Sequence, residues 1–200
     1  MKKVFLLFGL LSSVLAIQAQ EWTDITDNYV TNPRYENNDL SGWEGTPLGS
    51  YNPKNNAEHY QKNYNTYQTI TGLTAGTYRI SLNAFYRAGS PATDYEAFTS
   101  DNKDLLLASL YANSSVDTQH TALPFASSAA LSSSLGGNTQ TVGNNLYIPD
   151  NMEAADAWFS EGNYLISVEC KVGEDGNLTI GIKKDETIQK DWTCLDNWKR

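Results

Sequence analysis

Residues 77–87 read Thr-Tyr-Arg-Ile-Ser-Leu-Asn-Ala-Phe-Tyr-Arg, and this stretch decides the fold class. Apolar and aromatic side chains at alternate positions, from Tyr78 through Ile80 and Leu82 to Tyr86, are interleaved with more polar ones. Because successive side chains of a strand point to opposite faces, this alternation predicts a long β-strand with one face on a core and the other more exposed.

Similar signals lie on both sides of this strand. Residues 67–70 have β character and are followed by a turn-like segment at 72–76, which predicts a hairpin partner for the long strand. Residues 164–172 form a second alternating stretch, and Glu-Asp-Gly-Asn at 174–177 predicts a tight turn into a strand at 178–183. Two further strands are expected at 105–111 and 191–198.

One short helix is expected among these strands. It covers residues 151–159, with Asp150 as N-cap and Glu153 at the third position. Residues 127–145 are rich in Ser, Gly, Ala and Asn and predict a long surface loop. Many short strands with turns between them, and no internal repeat, favour an all-β fold, a single β-sandwich domain over residues 20–200.

The first 19 residues have the order of a secretory signal peptide. Lys2 and Lys3 precede an apolar stretch at 4–16, and small residues close the segment at Ala19. The apolar stretch is too short for a permanent membrane span, and no other stretch is apolar enough to cross a bilayer. We therefore expect cleavage after Ala19 and a protein that is secreted to the periplasm, the cell surface or the medium.

The charge of the chain excludes some partners. Its formal net charge is −9, and loss of the two signal-peptide lysines changes it to −11. A strongly acidic surface repels nucleic-acid backbones and anionic membranes, so neither is an expected partner. The same charge is compatible with binding of a divalent cation.

Two cysteines, Cys170 and Cys194, leave two alternatives open. An exported protein can form one disulfide between them. Both lie in predicted strands, where they could instead be neighbouring buried thiols, because disulfide geometry is narrow and bridging adjacent strands is strained. Their spacing excludes a C-x-x-C redox or zinc site.

Three local patterns together resemble the galactose-binding-like jelly-roll modules, the fold of many carbohydrate-binding modules of secreted Gram-negative bacterial proteins. The first is NPRYE at 32–36 with LSGW at 40–43, similar to the family's N-x-x-F-E…GW with Tyr35 for Phe. The second is YQTITGLTAGTY at 67–78, and the third is DW at 191–192 with DNW at 196–198. The three motifs occur in the family's order and at similar spacing, and the resemblance covers nearly all of the chain after the signal peptide.

The resemblance implies a jelly-roll β-sandwich that binds a glycan or polysaccharide without catalysis, as part of a glycan-processing or surface protein. In the family the final strand continues several residues beyond the Asp-Asn step, whereas this sequence ends at Arg200. The last strand is therefore expected to be short, or the chain to belong to a longer protein with partner domains downstream.

The resemblance also implies a structural Ca²⁺ site. By position, Glu36 matches the family's opening carboxylate and Asp196 its closing one, with Asp39 and Asn38 near enough in sequence to add oxygens. Calcium takes six to eight oxygen ligands, which suits this set. The alternative is that Glu36 and Asp196 cap turns or pair with nearby basic residues.

Sugar recognition needs flat aromatic faces and a few polar groups that orient hydroxyls. Candidates with these properties are Tyr60, Tyr64, Tyr86, Arg87 and Trp158, and the polar neighbours of Tyr60, Tyr64 and Arg87 favour those three. Tyr and Trp also fill sandwich cores, and Trp43 and Trp192 are expected to pack there.

The sequence supplies little for catalysis. Its two histidines, His59 and His120, lie in polar sequence outside any metal-ligand spacing, and no G-x-S-x-G motif occurs. Two alternatives to glycan binding stay open. The first is a structural or adhesive module that binds a protein partner through exposed Phe85 and Leu48, and the second is a small jelly-roll glycosidase or lyase.

Overall fold

The computed structural model describes residues 21–51 and 54–199; the expected signal peptide at 1–19 lies outside them. The strands are β1 Glu44–Gly45, β2 Gly49–Tyr51, β3 Lys54–Tyr60, β4 Tyr64–Ile70, β5 Gly76–Arg87, β6 Ala108–Asn113, β7 Thr118–Ala122, β8 Thr139–Val142, β9 Leu146–Pro149, β10 Leu165–Val172, β11 Leu178–Lys184 and β12 Trp192–Lys199. The helices are α1 Thr26–Tyr29, α2 Pro91–Thr99 and α3 Met152–Ser160, with short 3-10 turns at Glu36–Asn38, Lys103–Leu105 and Ala126–Ala129.

Two five-stranded antiparallel sheets pack face to face. Sheet A has the order β1-β4-β11-β6-β7, and sheet B has the order β10-β5-β12-β3-β2. The long β5 predicted from residues 77–87 is next to the centre of sheet B, and β8 and β9 form a separate hairpin. The all-β sandwich is therefore confirmed. None of the described helices is long and apolar enough to cross a membrane.

Both turns that were expected to close hairpins instead carry the chain from one sheet to the other. Strand β4 lies in sheet A and β5 in sheet B, while β10 lies in sheet B and β11 in sheet A. The hairpin prediction was wrong because a turn signal marks a reversal of direction without specifying the pairing. In a two-layer fold the reversed strand can equally join the opposite sheet.

The inner faces of the two sheets form the main core, as the alternation predicted. Ile80, Leu82 and Tyr86 of β5 are buried there against Leu110 and Ile182 of sheet A. At about 25 cal/mol per Å² of apolar surface removed from water, such side chains supply most of the stabilisation of the sandwich.

A second core lies on the outer face of sheet B, where more exposure was expected. Helix α3 and the β8–β9 hairpin cover this face and bury Phe85, Trp158 and Trp192 together. Phe85 is therefore not available for a protein-binding patch, and Leu48 packs against the main core. The contact patch expected from these two side chains does not form.

The helical prediction was nearly right at α3 and incomplete elsewhere. Helix α3 begins at Met152, and Asn151 rather than Asp150 is its N-cap, accepting from the Ala154 N–H at 2.8 Å. Helix α2 was missed, although Ser90-Pro91 supplies an N-cap and a proline in the first turn. The expected loop at 127–145 contains β8 near its end, and residues 103–105 are a 3-10 turn that precedes β6.

The two cysteines are free and buried, so of the two alternatives the structure has buried thiols and no disulfide. Cys170 pairs with Tyr78 at one end of β5 and faces the main core, whereas Cys194 pairs with Phe85 and faces the second core. Seven residues of strand separate those positions, a distance of roughly 23 Å at 3.3 Å per residue. A disulfide requires Cα atoms within about 7 Å, so no bridge can form.

The first and last motifs of the family resemblance meet in space. The Trp198 indole N–H donates to the Tyr35 hydroxyl at 2.7 Å, and the Trp43 and Trp198 ring centroids are 4.7 Å apart. The Trp198 backbone N–H also donates to the Pro33 carbonyl at 3.0 Å. The start of the described chain is thereby fixed to the final strand.

Candidate functional site

A pocket of about 450 Å³ opens on the outer face of sheet B, beside α3. Its floor is a transverse row on three adjacent strands, because Trp192 of β12 pairs with Tyr60 of β3 on one side and with Arg87 of β5 on the other. We call it the Trp192 pocket; its lining residues are Glu58, Tyr60, Arg87, Asp150, Asn151, Met152 and Trp192.

The wall of the pocket comes from the connection between β9 and α3. Asp150, Asn151 and Met152 form this connection, and the Asn56 side-chain amide donates to the Met152 carbonyl at 2.7 Å. The Asn151 side chain is held by the Ala154 N–H and by the Asn138 N–H at 3.1 Å. Strand register and helix capping therefore fix the floor and the wall relative to each other.

The two aromatic side chains of the row have different roles. Tyr60 is 48 % exposed, so its ring is accessible to a ligand. Trp192 is only 3 % exposed and packs edge-to-face on Phe85 with ring centroids 4.9 Å apart. Its indole N–H donates to Glu58 Oε2 at 2.7 Å. Trp192 thus positions Glu58 and supports the pocket, while Tyr60 offers a ring face.

The charged groups of the pocket form a connected network. The Arg87 guanidinium makes an ion pair with Asp150 Oδ1 and lies 5.3 Å from the Trp192 ring centroid. Gln140 donates to Asp150 Oδ2 at 2.8 Å, so both oxygens of that carboxylate are engaged. Arg87 Nε is buried and has no hydrogen-bond partner among the described residues.

Within the part of the chain that the structure describes, the Glu58 carboxyl has a free oxygen, whereas both oxygens of Asp150 are engaged. Burial raises the pKa of Glu58, and the hydrogen bond from Trp192 opposes that shift. Among the described residues, Glu58 Oε1 accepts no hydrogen bond and remains free for a ligand hydroxyl. The pocket therefore combines one aromatic face with several fixed polar groups, the composition of a small-ligand site.

The structure places only part of the predicted sugar-binding set in this pocket. Tyr60 and Arg87 line it. Tyr64 is buried in the main core, stacks on His59 with ring centroids 4.1 Å apart and shares a hydrogen bond with the Thr193 hydroxyl. Tyr86 is also buried in the main core, and its hydroxyl donates to Asp191 Oδ2.

Trp158 is fully buried in the second core. Its indole N–H donates to the Ala129 carbonyl at 2.9 Å. Tyr64, Tyr86 and Trp158 therefore have no accessible ring face, and their assignment to a sugar site was wrong. Polar sequence neighbours do not report burial, because adjacent residues of a strand point to opposite faces.

Sequence reasoning missed Glu58, Asp150, Asn151 and Met152, and expected Trp192 only to pack. The expected helix start near residue 150 was a usable signal, because the N-terminus of a helix that packs on a sheet face brings polar capping residues to that face. No sequence pattern placed it beside β3.

The expected calcium ligands lie near the Tyr35–Trp198 contact and are only partly brought together. Burial raises the pKa of Asp196 to about 7, and Glu36 is close enough to act on the same carboxyl. Glu36 is exposed and lies 3.6 Å from the Arg34 guanidinium. Asp39 is exposed and accepts from the Ser41 N–H at 2.9 Å. Asn38 Oδ1 is buried without a hydrogen-bond partner among the described residues.

Within residues 21–51 and 54–199, no three His, Cys, Asp or Glu side chains cluster as metal ligands. The histidines lie apart and on strands rather than loops. His59 of β3 faces the main core, and His120 of β7 is exposed on sheet A.

No protein-family model matches the chain, and no curated protein is significantly similar to it. Among solved structures, TmCBM61 in complex with β-1,4-galactotriose is 12 % identical, with a TM-score of 0.46; the match covers 85 % of this chain and 94 % of that one.

Proposed function

We propose that this protein is an exported, non-catalytic glycan-binding module that holds a neutral sugar in the Trp192 pocket. One observation carries the proposal: the accessible Tyr60 ring stands in a strand row beside fixed polar groups. A pyranose ring presents a C–H face that packs on an aromatic ring, and its hydroxyls need donors and acceptors in fixed positions.

Each polar group has a role in such a complex. Glu58 Oε1 accepts from a sugar hydroxyl, and the Arg87 side chain that lines the pocket supplies the positive charge for a sugar oxygen. Asp150 is already saturated by Arg87 and Gln140, so it positions the guanidinium. Two carboxylates against one guanidinium give the pocket an excess of negative charge, which disfavours acidic sugars and favours neutral ones.

Calorimetric titration with neutral oligosaccharides tests the proposal. We expect Tyr60→Ala to weaken binding about tenfold, which corresponds to about 1.4 kcal/mol. The matched control is Phe98→Ala, which removes another exposed aromatic ring, on α2 and outside the pocket. Equal affinities of both variants, or no binding by folded wild-type protein across a panel of neutral glycans, would refute the assignment.

Hydrolysis is a second candidate function because the pocket holds two carboxyl groups in different environments. Glu58 has a raised pKa, as a general acid requires, and Asp150 is paired with a cation. Binding is favoured over hydrolysis since both Asp150 oxygens are occupied and neither is free to attack a sugar or activate water. Reducing-sugar release that Glu58→Gln abolishes would reverse this choice.

We also propose a structural calcium ion near the junction of the first and last motifs. The buried Asn38 oxygen without a partner, the buried Asp196 carboxylate and the nearby Glu36 supply the oxygen chemistry that calcium prefers. Asp39 is left out of this set, because the contacts of its carboxylate, which accepts from the Ser41 N–H, do not include Asn38 or Asp196. When bound, the ion would neutralise Asp196 and stabilise the fold.

Thermal unfolding with and without calcium tests this second site. We expect calcium to raise the Tm of the wild type and of the control Asp39→Asn, and to have no effect on Asp196→Asn. A Tm that is independent of calcium and of chelator in the wild type would refute the site.

The proposal of export rests on residues 1–19. N-terminal sequencing of the mature protein should give Gln20 as its first residue.

A further inference from the structure

We propose that the outer face of sheet A is a second binding surface, separate from the Trp192 pocket, for a polysaccharide that carries uronic-acid carboxylates. This face, called here the sheet A face, consists of outward side chains on four adjacent strands in register. From β4 through β11 and β6 to β7, the three rows are Thr69, Thr179, Asn113 and Thr118; Tyr67, Gly181, Tyr111 and His120; and Asn65, Lys183, Ser109 and Ala122.

The charge of this face is unlike that of the rest of the protein. The chain has 23 acidic residues, yet none occurs in β4, β6, β7 or β11. Glu44 of β1 and Asp117 before β7 lie at its borders. Lys183 is exposed on β11 in the row that ends at Ala122, and the ion pairs of the described residues do not include it. An anionic ligand meets a cation here without the repulsion that the net charge imposes elsewhere.

The middle row of the face holds an aromatic ring against the sheet, beside a cavity. Gly181 has no side chain, and the Tyr111 ring lies over it so closely that a Cβ there would be 2.8 Å from the ring. The Tyr111 hydroxyl donates to Asn65 Oδ1 at 2.8 Å, which fixes the ring across the strands. A cavity of about 390 Å³ is lined here by Tyr111, Lys183, His120 and neighbouring amides and hydroxyls.

The size of the face indicates a chain rather than a single sugar. Adjacent rows are two residues apart along each strand, about 7 Å, so the three rows extend over about 14 Å. Threonine, asparagine and serine side chains on the outer rows can exchange hydrogen bonds with hydroxyls along that length. Lys183 and Tyr111 are diagonal neighbours on adjacent strands. One uronic-acid unit can therefore stack its ring on Tyr111 and place its carboxylate at Lys183.

Calorimetric titration with oligogalacturonate, and with its fully methyl-esterified form, tests this inference. We expect the wild type to bind the acidic oligosaccharide, with affinity that falls as salt is raised, and to bind the methyl ester at least tenfold more weakly. Lys183→Gln should weaken binding of the acidic ligand at least fivefold. Lys103→Gln removes an equal charge from an exposed lysine outside sheet A and should leave it unchanged.

Two results would overturn the inference: equal binding of the acid and the ester, or equal loss in Lys183→Gln and Lys103→Gln. Tyr60→Ala separates the two sites. It should leave binding of oligogalacturonate intact while it weakens binding of the neutral sugar. If Tyr60→Ala abolishes both, the acidic ligand occupies the Trp192 pocket and the sheet A face is not a site.

Discussion

Acid sensitivity from His59 is a prediction that the structure specifies in detail. His59 is 2 % exposed, stacks on Tyr64 and shares a 2.9 Å hydrogen bond between Nε2 and the Thr66 hydroxyl. The Thr66 hydroxyl donates its only hydrogen to the Thr46 carbonyl, so His59 Nε2 must carry the proton and donate. Nδ1 is therefore the unprotonated nitrogen, and it is buried without a partner among the described residues.

Protonation of His59 would place an unpaired N–H and a positive charge in the core. Burial, with a smaller effect of Lys62 and Lys184, lowers the pKa of His59 from 6.5 to about 3. Because the folded state binds the proton more weakly than the unfolded state, the stability present above pH 6.5 is lost as pH falls towards 3. The loss is about 1.4 kcal/mol per pH unit, which gives about 3 kcal/mol at about pH 4.5.

Replacement of His59 by phenylalanine isolates this contribution. The His59→Phe variant keeps a ring against Tyr64 and removes both the titration and the unpartnered Nδ1, so we expect a free energy of unfolding within about 1 kcal/mol of wild type at pH 7.5. Urea unfolding of both proteins between about pH 7.5 and 4.5 is the assay. The variant should become more stable than wild type as the pH falls, by about 3 kcal/mol at the lowest pH. If the free energy of unfolding changed with pH by the same amount in both proteins, the role of His59 would be refuted, since other titrating groups affect both equally.

Three further predictions concern buried groups. Lys184 is buried and donates to Asp191 and to the Glu186 carbonyl. Lys184→Met should lower the free energy of urea unfolding by about 3–5 kcal/mol, because it leaves the Asp191 charge without its cation. Adding Asp191→Asn should recover part of that loss. Trp158→Ala should destabilise the protein by about 3–5 kcal/mol and, in the protein that remains folded, leave affinity for neutral sugar unchanged, since Trp158 packs behind the pocket without lining it. A thiol reagent should modify neither Cys170 nor Cys194 in native protein and both after denaturation without reductant; a requirement for reductant would contradict the absence of a disulfide.

The clearest strands of the fold could be predicted from the sequence because their signals are local. The alternation at residues 77–87 and 164–172 reflects the two-residue period of a strand, and the structure has β5 and β10 there. The same signals failed for pairing. The turn at 72–76 leads from sheet A to sheet B, and no local residue specifies which sheet receives the next strand.

The candidate sites were harder to predict because accessibility is not local. Tyr60 and Tyr64 have equally polar neighbours, yet Tyr60 ends β3 at the open pocket and Tyr64 begins β4 facing the core. Arg87 and Phe85 lie on the same face of β5, but only Arg87 reaches the pocket, since Phe85 is covered in the second core beneath α3.

The sequence by itself determined the period of its two clearest strands, the acidic charge and the resemblance of its motifs, because these depend on the residues along the chain. Only the tertiary structure decided which strands are neighbours, and those neighbours make the sites. Tyr60, Trp192 and Arg87 become one row, and Tyr67, Gly181, Tyr111 and His120 become another, through antiparallel register between strands distant in sequence. The same register places Cys170 and Cys194 on opposite faces of sheet B, since pairing fixes both the position and the direction of every side chain along β5.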